Sequence, residues 1–486
     1  MNDLHNLIKS LNANEKRYVS IYINRFSASK NNYSKLYQFI EKQEFYEENE
    51  LIKKLRKEPF VKHLAVTKHY LFELILEAMR EYYDEQFIDW KLRKQTTQIF
   101  VLTSKGLDKA AHKLIIKTKQ ECLQYENYVL LLDILNHERW LFGNRRIASN
   151  NVEFGKNICE EELQVISILQ QLAEYKKIWH SLNFYELTRH NYTKKEYKQT
   201  IENAININSI LPPTTTSSFL LNAQYHNTLA HYFLLTDDIY NQFLQNKKVV
   251  EIREKQLLAQ PNSPIDLFAT YYNFMLACYH NKEWSSLKTY LQKMQELETK
   301  SIEKKIKFFH DYYYCALLYN LGTENYKDGY CLTSEIKNGL ELYQNKIRDD
   351  FYIWLCQCSG LVCFFNKKYT EAYKWWQNIL LNDKIKIEIN KQCAIELYTL
   401  ILVIEEQKTD VLDYQIKQTE KKLNDNNLIG LAEKEFFDFL KNSLKNKTNT
   451  KLKYQKTYQL LCKYQLENKA VVVDEFILKW FENRSK

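Results

Sequence analysis

The sequence predicts an all-α fold, an N-terminal helical domain followed by an α-solenoid of stacked helical hairpins. Three observations carry this. First, the chain has only eight glycines and five prolines among 486 residues, where an average globular chain carries ~12% of the two together. Sandwiches, barrels and doubly wound sheets need turn residues every dozen or so positions, so the shortage argues against them. Second, apolar residues recur at helical spacing: Leu71, Leu74, Ile75, Ala78 and Tyr82 form one stripe, and Ile166, Leu169, Leu172 and Ala173 form another. Third, a hairpin pattern repeats, with aromatics at Trp284, Tyr326 and Tyr369, 42 and 43 residues apart. A regular interval of this size is the signature of stacked helical hairpins.

The N-terminal domain is expected over residues 1–88, as a cap or a helix-turn-helix-like unit. Helices are read at 33–42, 48–57 and 67–83, the last with the Thr67 hydroxyl capping its free amides. Three such helices suit a DNA-reading arrangement, but residues 1–90 hold 14 Lys/Arg against 14 Asp/Glu. Duplex binding needs a net electrostatic attraction that this balance lacks, so the cap is preferred.

Helical hairpins and long helices are expected over 89–209, including a looser match to the hairpin pattern described below in 104–117, with Leu107 and Ala110 in its aromatic and small positions. The run ILPPTTTSS at 210–218 breaks the chain, because proline restricts the residue before it and the Thr/Ser tract favours no packed element. A superhelix follows over 210–440, opening with a hairpin around Ala230 and Tyr240. A second proline-bearing connection at 260–264 leads into the clearest repeats.

Residues 273–294 read NFMLACYHNKEWSSLKTYLQKM and residues 358–380 read CSGLVCFFNKKYTEAYKWWQNIL. Aligning Trp284 with Tyr369 sets Leu287 against Ala372, Tyr290 against Trp375 and Ala277 against Val362. Each segment is a helix, a polar turn, an aromatic and a second helix. Residues 315–342 fit between them, with Tyr326 and Gly329 at the aromatic and small positions. One hairpin cannot bury both faces of its helices, so stacking places Trp284, Tyr369, Trp375 and Trp376 against the neighbouring pair. Each buried aromatic contributes roughly 1.5–3 kcal/mol.

With Gly360, Tyr369, Ala372 and Trp375 in these places, the segments over 273–380 resemble the tetratricopeptide repeat. The period here is longer than the ~34 residues of that repeat, and the closing proline is missing. The resemblance implies a concave surface lined by the first helices of successive hairpins. It places Tyr272, Asn273, Leu276 and Tyr279 in that groove from one repeat, and Gln357, Leu361 and Phe364 from another. Asn273 would then bond an extended peptide backbone and Tyr279 would pack on its side chains.

Residues 441–486 read as a basic segment with C-terminal capping helices. Lys441, Lys445, Lys447, Lys451, Lys453, Lys456 and Lys463 stand without an acid among them. Such a patch attracts phosphates or an acidic partner, and Tyr454, Tyr458 and Tyr464 are available to stack on bases; a solvated surface is the simpler reading. Leu460, Leu461, Val471, Val472, Phe476 and Trp480 suggest a final helix pair.

No glycine-rich phosphate loop, HExxH or paired CxxC occurs. Cys356 and Cys358 point about 200° apart on a helix, which does not suit a shared metal. Neither a catalytic residue nor a cofactor is expected. With a formal charge of +9, no basic-then-apolar leader and no run of about 18 apolar residues, the chain reads as cytoplasmic, with reduced thiols and no membrane insertion. The expected function is non-catalytic: an adaptor, scaffold or regulatory subunit binding a protein or peptide in the groove of the superhelix. The alternative is a peptide-sensing regulator whose N-terminal domain or lysine-rich segment contacts nucleic acid.

Overall fold

The computed structural model describes residues 3–25, 32–84, 87–144, 146, 152–188, 194–215, 217–261, 263, 265–299, 301–383, 385–406, 409–445, 451–467 and 470–486. Among them are twenty-three α-helices and no strand. They fall into two compact units, Met1–Leu172 with Lys255–Ile265, and Ala173–Glu254 with Asp266–Lys486.

In the first unit, α1 (Asp3–Ser10), α2 (Ala13–Arg25), α3 (Asn32–Lys42), α4 (Glu48–Lys54) and α5 (Leu64–Tyr83) close on one core. Ile8, Val19, Leu36, Ile40, Leu51, Leu71, Ile75 and Ala78 are its centre, with Leu74 packed against it. Two of these helices, α1 and α2, had no counterpart in the sequence reading. The start of α5 also differs from expectation. A 3-10 turn over Pro59–His63 feeds straight into Leu64, so Thr67 lies inside the helix. Its hydroxyl donates back to the His63 carbonyl at 3.1 Å instead of capping.

Then come α6 (Ile88–Ser104), α7 (Asp108–Gln124) and α8 (Tyr128–Gly143), an antiparallel succession, and the long α9 (Val152–Leu187). In α9 the buried residues are Ile158, Val165, Leu172, Tyr175 and Leu182, while Ile166 is exposed. Burial thus follows a largely seven-residue spacing rather than the 166–173 stripe. Next is α10 (Lys194–Ala204), then the hairpin of α11 (Phe219–Leu235) and α12 (Ile239–Ala259). Ala230 is buried there and Tyr240 exposed.

The hairpins of the second unit continue as α13 (Leu267–His280) with α14 (Trp284–Gln295), α15 (Ile302–Gly322) with α16 (Tyr326–Tyr343), and α17 (Asp349–Phe365) with α18 (Tyr369–Leu380). After them come α19 (Ile389–Glu405), α20 (Thr409–Asp425), α21 (Leu431–Lys445), α22 (Lys451–Leu466) and α23 (Glu475–Ser485). Within this unit the first helices pack side by side, α13 on α15 and α15 on α17, while each second helix packs on its own first helix. One continuous core runs from Phe309 to Phe481.

Two local devices make this stacking work. Gly360 on α17 lies beneath the Trp376 indole of α18, where an added Cβ would fall inside the ring. Trp376 is fully buried, whereas Trp284 is only half-buried. The turns supply the second device. Asp237, Lys282, Glu324 and Lys367 all take positive φ, between 58° and 61°, at the same point after a first helix. In each turn the next amide reaches back five residues, as in Lys368 N–H to the Cys363 carbonyl at 2.8 Å. This is the αL helix ending usually assigned to glycine, here built from charged residues.

Candidate functional site

The first-helix face of α13, α15 and α17 is lined with aromatics, because residues three, four and seven apart share a helix face. On α13, Tyr272, Leu276 and Tyr279 are half-buried against the core while Asn273, a step round the helix, is exposed. On α15, Tyr314 stacks on Trp354 of α17, with ring centroids 5.3 Å apart and planes 20° apart. Phe351 completes the cluster, 5.9 Å from the Tyr272 ring and 5.2 Å from Trp354.

The tyrosines of this face are poorly solvated yet open. Burial, first of all, raises the pKa of Tyr272, Tyr279 and Tyr314 above the ordinary phenol range. Among the described residues none of the three hydroxyls has a hydrogen-bond partner. None is sealed from solvent either. Next after burial, Cys315 and Tyr314 act on Tyr272 ahead of Asp311 and Asp350, Glu475, Cys358 and Asp474 act on Tyr279, and Cys358 and Cys315 act on Tyr314. Tyr279 in turn acts on Tyr314.

A dyad sits at one end of the face. His310 Nδ1 and Asp311 Oδ1 are 2.7 Å apart, and the imidazole lies on Phe351 with centroids 3.9 Å apart. Asp311 is 2% exposed, and its Oδ2 has no partner among the described residues. Desolvation raises its pKa, opposed by His310 and Lys307.

At the other end α23 covers part of the face. It runs past the C-terminal ends of the first helices: Phe476 packs edge-on against Phe364 and Phe365 at 5.2 and 5.5 Å, and Trp480 Nε1 donates to Glu405 at 2.7 Å. Asp474 caps this helix, accepting from Phe476 N–H and Ile477 N–H at 3.1 and 3.3 Å, and also from the Tyr398 hydroxyl. Enclosure by protein raises the Asp474 pKa to about 6, against the lowering effect of those bonds.

The expected groove residues therefore divide. Tyr272, Leu276 and Tyr279 are half-buried and Asn273 is exposed on α13. Gln357 donates to the Tyr398 hydroxyl at 2.9 Å, Phe364 is buried under Phe476, and Leu361 is half-buried. The sequence reading missed Tyr314, Trp354 and the His310–Asp311 pair. Their signal was present as the first-helix positions of the middle repeat and the preceding turn of α17.

Glu433 was also missed. It is fully buried, and its Oε1 accepts three consecutive amides, Val471, Val472 and Val473, at 2.8, 2.6 and 2.9 Å. Its Oε2 accepts Gly430 N–H at 2.9 Å. One carboxylate thus anchors the strap that delivers α23.

In the lysine-rich segment, Lys441 pairs with Glu420 at 2.7 Å and Lys463 lies 3.9 Å from Glu467. Lys451 and Lys456 are exposed, and Lys453 is half-buried. The side chain of Lys445 and the whole of Lys447 lie outside the described residues. Tyr454 packs into the core, its ring 4.9 Å from Phe439 and 5.5 Å from Trp480, so it has no face to offer a base.

In the first unit a cleft of about 960 Å³ is lined by Tyr18, Tyr82 and Trp90 with Arg80, Arg93 and Lys94. Those three cations are paired with Glu77, Asp89 and Asp84.

All ten cysteines are free, and burial pushes the Cys356 and Cys358 thiols up to about 12, which makes them unreactive. Among the described residues no group of three or more His, Cys, Asp or Glu is placed to hold a metal ion. None of the described helices is long and apolar enough to cross a membrane.

Comparison of the chain with protein-family models, with curated proteins and with solved structures returns no match.

Proposed function

We propose that the chain is a non-catalytic binding protein, an adaptor or regulatory subunit, and that its tetratricopeptide-like hairpins hold a segment of a partner protein along the first-helix face. The observation that carries this reading is the set formed by Tyr272, Tyr279 and Tyr314, whose hydroxyls are unpaired and not fully sealed among the aromatic rings of this face. An apolar concavity with a few unsatisfied polar groups is the usual construction of a binding site. Tyrosine and tryptophan there offer large contact areas, at the cost of ordering only two side-chain torsions each. The recurring αL turns and the glycine seat for Trp376 support a repeat architecture, in which binding surfaces extend over several hairpins.

In this reading the open stretch from Tyr272 to Trp354 engages the partner, while α23 fixes the far edge of the groove. Apolar and aromatic contacts supply affinity, and Asn273 and the tyrosine hydroxyls set orientation. The test is affinity purification with intact, Tyr279→Ala and Asn273→Ala proteins, each verified by circular dichroism. Partner recovery that falls with the variants supports the groove. Equal recovery with all three removes it.

A further inference from the structure

The groove carries a charge pattern that says what chemistry it accepts. Four carboxylates act on its tyrosines, and the cations nearby are already engaged. Lys307 pairs with Asp266, Arg348 with Asp350, and Lys479 with Glu324 and Glu482. Beyond these pairs stand Asp311 at one end, bonded to the His310 imidazole and within the field of the already paired Lys307, and Asp474 with Glu475 at the other. Glu475 is exposed and has no ion-pair partner among the described residues. A further basic group, His280, has its pKa lowered by desolvation despite the fields of Glu475 and Asp237, which favours the neutral ring.

Between the two acidic ends lie aromatic faces, Tyr272, Tyr314, Trp354 and Tyr279. Aromatic rings attract cations through their quadrupoles, most strongly where water is scarce. The Asp311 Oδ2 has no donor but is sealed within the protein, so it acts on an occupant through its field and not by contact. A buried carboxylate oxygen without a donor favours a positive charge drawn close to it.

The geometry points to a basic occupant: a partner segment that sets two lysine or arginine side chains over this aromatic strip, one toward Asp311 and one toward Glu475. The inference rests on the groove reading above and deepens it. Tyr272 and Tyr279 are seven residues apart on one helix, a rise of ~10 Å. An extended segment of polyproline II type covers that length in about three residues and brings every third side chain to the same side, so the two basic side chains are expected at i and i+3.

Three fluorescein-labelled twelve-residue peptides of serine and leucine provide the probe, with Lys, Glu or norleucine at the two spaced positions. Fluorescence anisotropy at pH 8 in 50 mM and 500 mM salt reads their affinities. The Lys peptide is expected to bind at least tenfold more tightly than the Glu peptide and to lose several-fold affinity in the higher salt. Asp311→Asn and Glu475→Gln are each expected to weaken the Lys peptide by about three- to tenfold and to leave the norleucine peptide unchanged. Glu475 is exposed, so its variant keeps the fold even if Asp311→Asn disturbs packing.

Equal affinity of the Lys and norleucine peptides, or indifference to both charge variants, overturns the basic-occupant inference. So does a Lys peptide that fails to bind at 1 mM. If Trp354→Ala weakens all three peptides equally while the charge variants do nothing, the groove stands and the charge rule alone falls. If the Lys peptide binds and Trp354→Ala has no effect on any peptide, the groove reading falls as well.

Discussion

Tyr398, fully buried on α19, donates its hydroxyl to the carboxylate of Asp474, which simultaneously caps α23. Three functions meet in this one contact: it orients the last helix, satisfies a buried phenol, and holds α23 over part of the first-helix face.

Its first consequence is a pH dependence. The folded-state pKa of Asp474 is about 6, above the ~3.9 of an unfolded aspartate. The folded protein therefore holds this proton more tightly between those values. Stability from this group is full below about pH 4 and is lost as pH rises through 6, on the order of 3 kcal/mol. Amide exchange in α23 is expected to quicken between pH 5 and pH 7 after correction for intrinsic rates. Asp474→Asn should flatten that dependence.

The strap before α23 depends on Glu433. Replacing it with alanine leaves the Val471, Val472 and Val473 amides without their acceptor, at an expected cost of about 2–4 kcal/mol. Proteolytic cleavage should appear within 467–475 and α23 should lose protection, while α1 to α5 melt as before. Glu433→Gln, which keeps a carbonyl oxygen, is expected to lose less.

Packing at Gly360 gives a third test. A methyl group there collides with the Trp376 indole, and overpacking of this kind costs about 1–3 kcal/mol. Trp376→Ala empties the same site and is expected to cost about 3–5 kcal/mol. Urea unfolding followed by tryptophan fluorescence for Gly360→Ala, and by circular dichroism for both, distinguishes the two. A Gly360→Ala protein as stable as the parent would contradict the close approach.

The turns predict a gain. Lys367 holds φ at 59° with a side chain that disfavours this region. Lys367→Gly should stabilise the protein by roughly 0.5–1 kcal/mol after the larger entropy of glycine in the unfolded chain is deducted. An unchanged or lowered urea midpoint would show that the turn is unstrained.

These turns also explain what the sequence disclosed. Glycine scarcity and the Trp284–Tyr326–Tyr369 interval pointed to helical hairpins, since both follow from local geometry that each repeat must satisfy. Hairpin ends were harder to place, because Asp237, Lys282, Glu324 and Lys367 occupy the position where glycine would have marked them. The α13 part of the first-helix face was legible, because Tyr272, Leu276 and Tyr279 stand at helical spacing. The rest depends on relations across long separations. Nothing near Asp474 in sequence announces Tyr398, and Glu433 in LAEKEFF has the look of an ordinary surface glutamate. Phe364 looked like a groove residue for the same reason: its covering helix begins more than a hundred residues later.

The central claim is that the first-helix face is where a partner is held. Photo-crosslinking tests it most directly, with p-benzoylphenylalanine placed at Tyr272 on that face and, as control, at Leu342 on the second-helix side, which is 74% exposed. The account predicts a discrete crosslinked partner from position 272, lost when Trp354→Ala is added, and none from position 342. Equal crosslinking from both positions, or crosslinking from 342 alone, would contradict it.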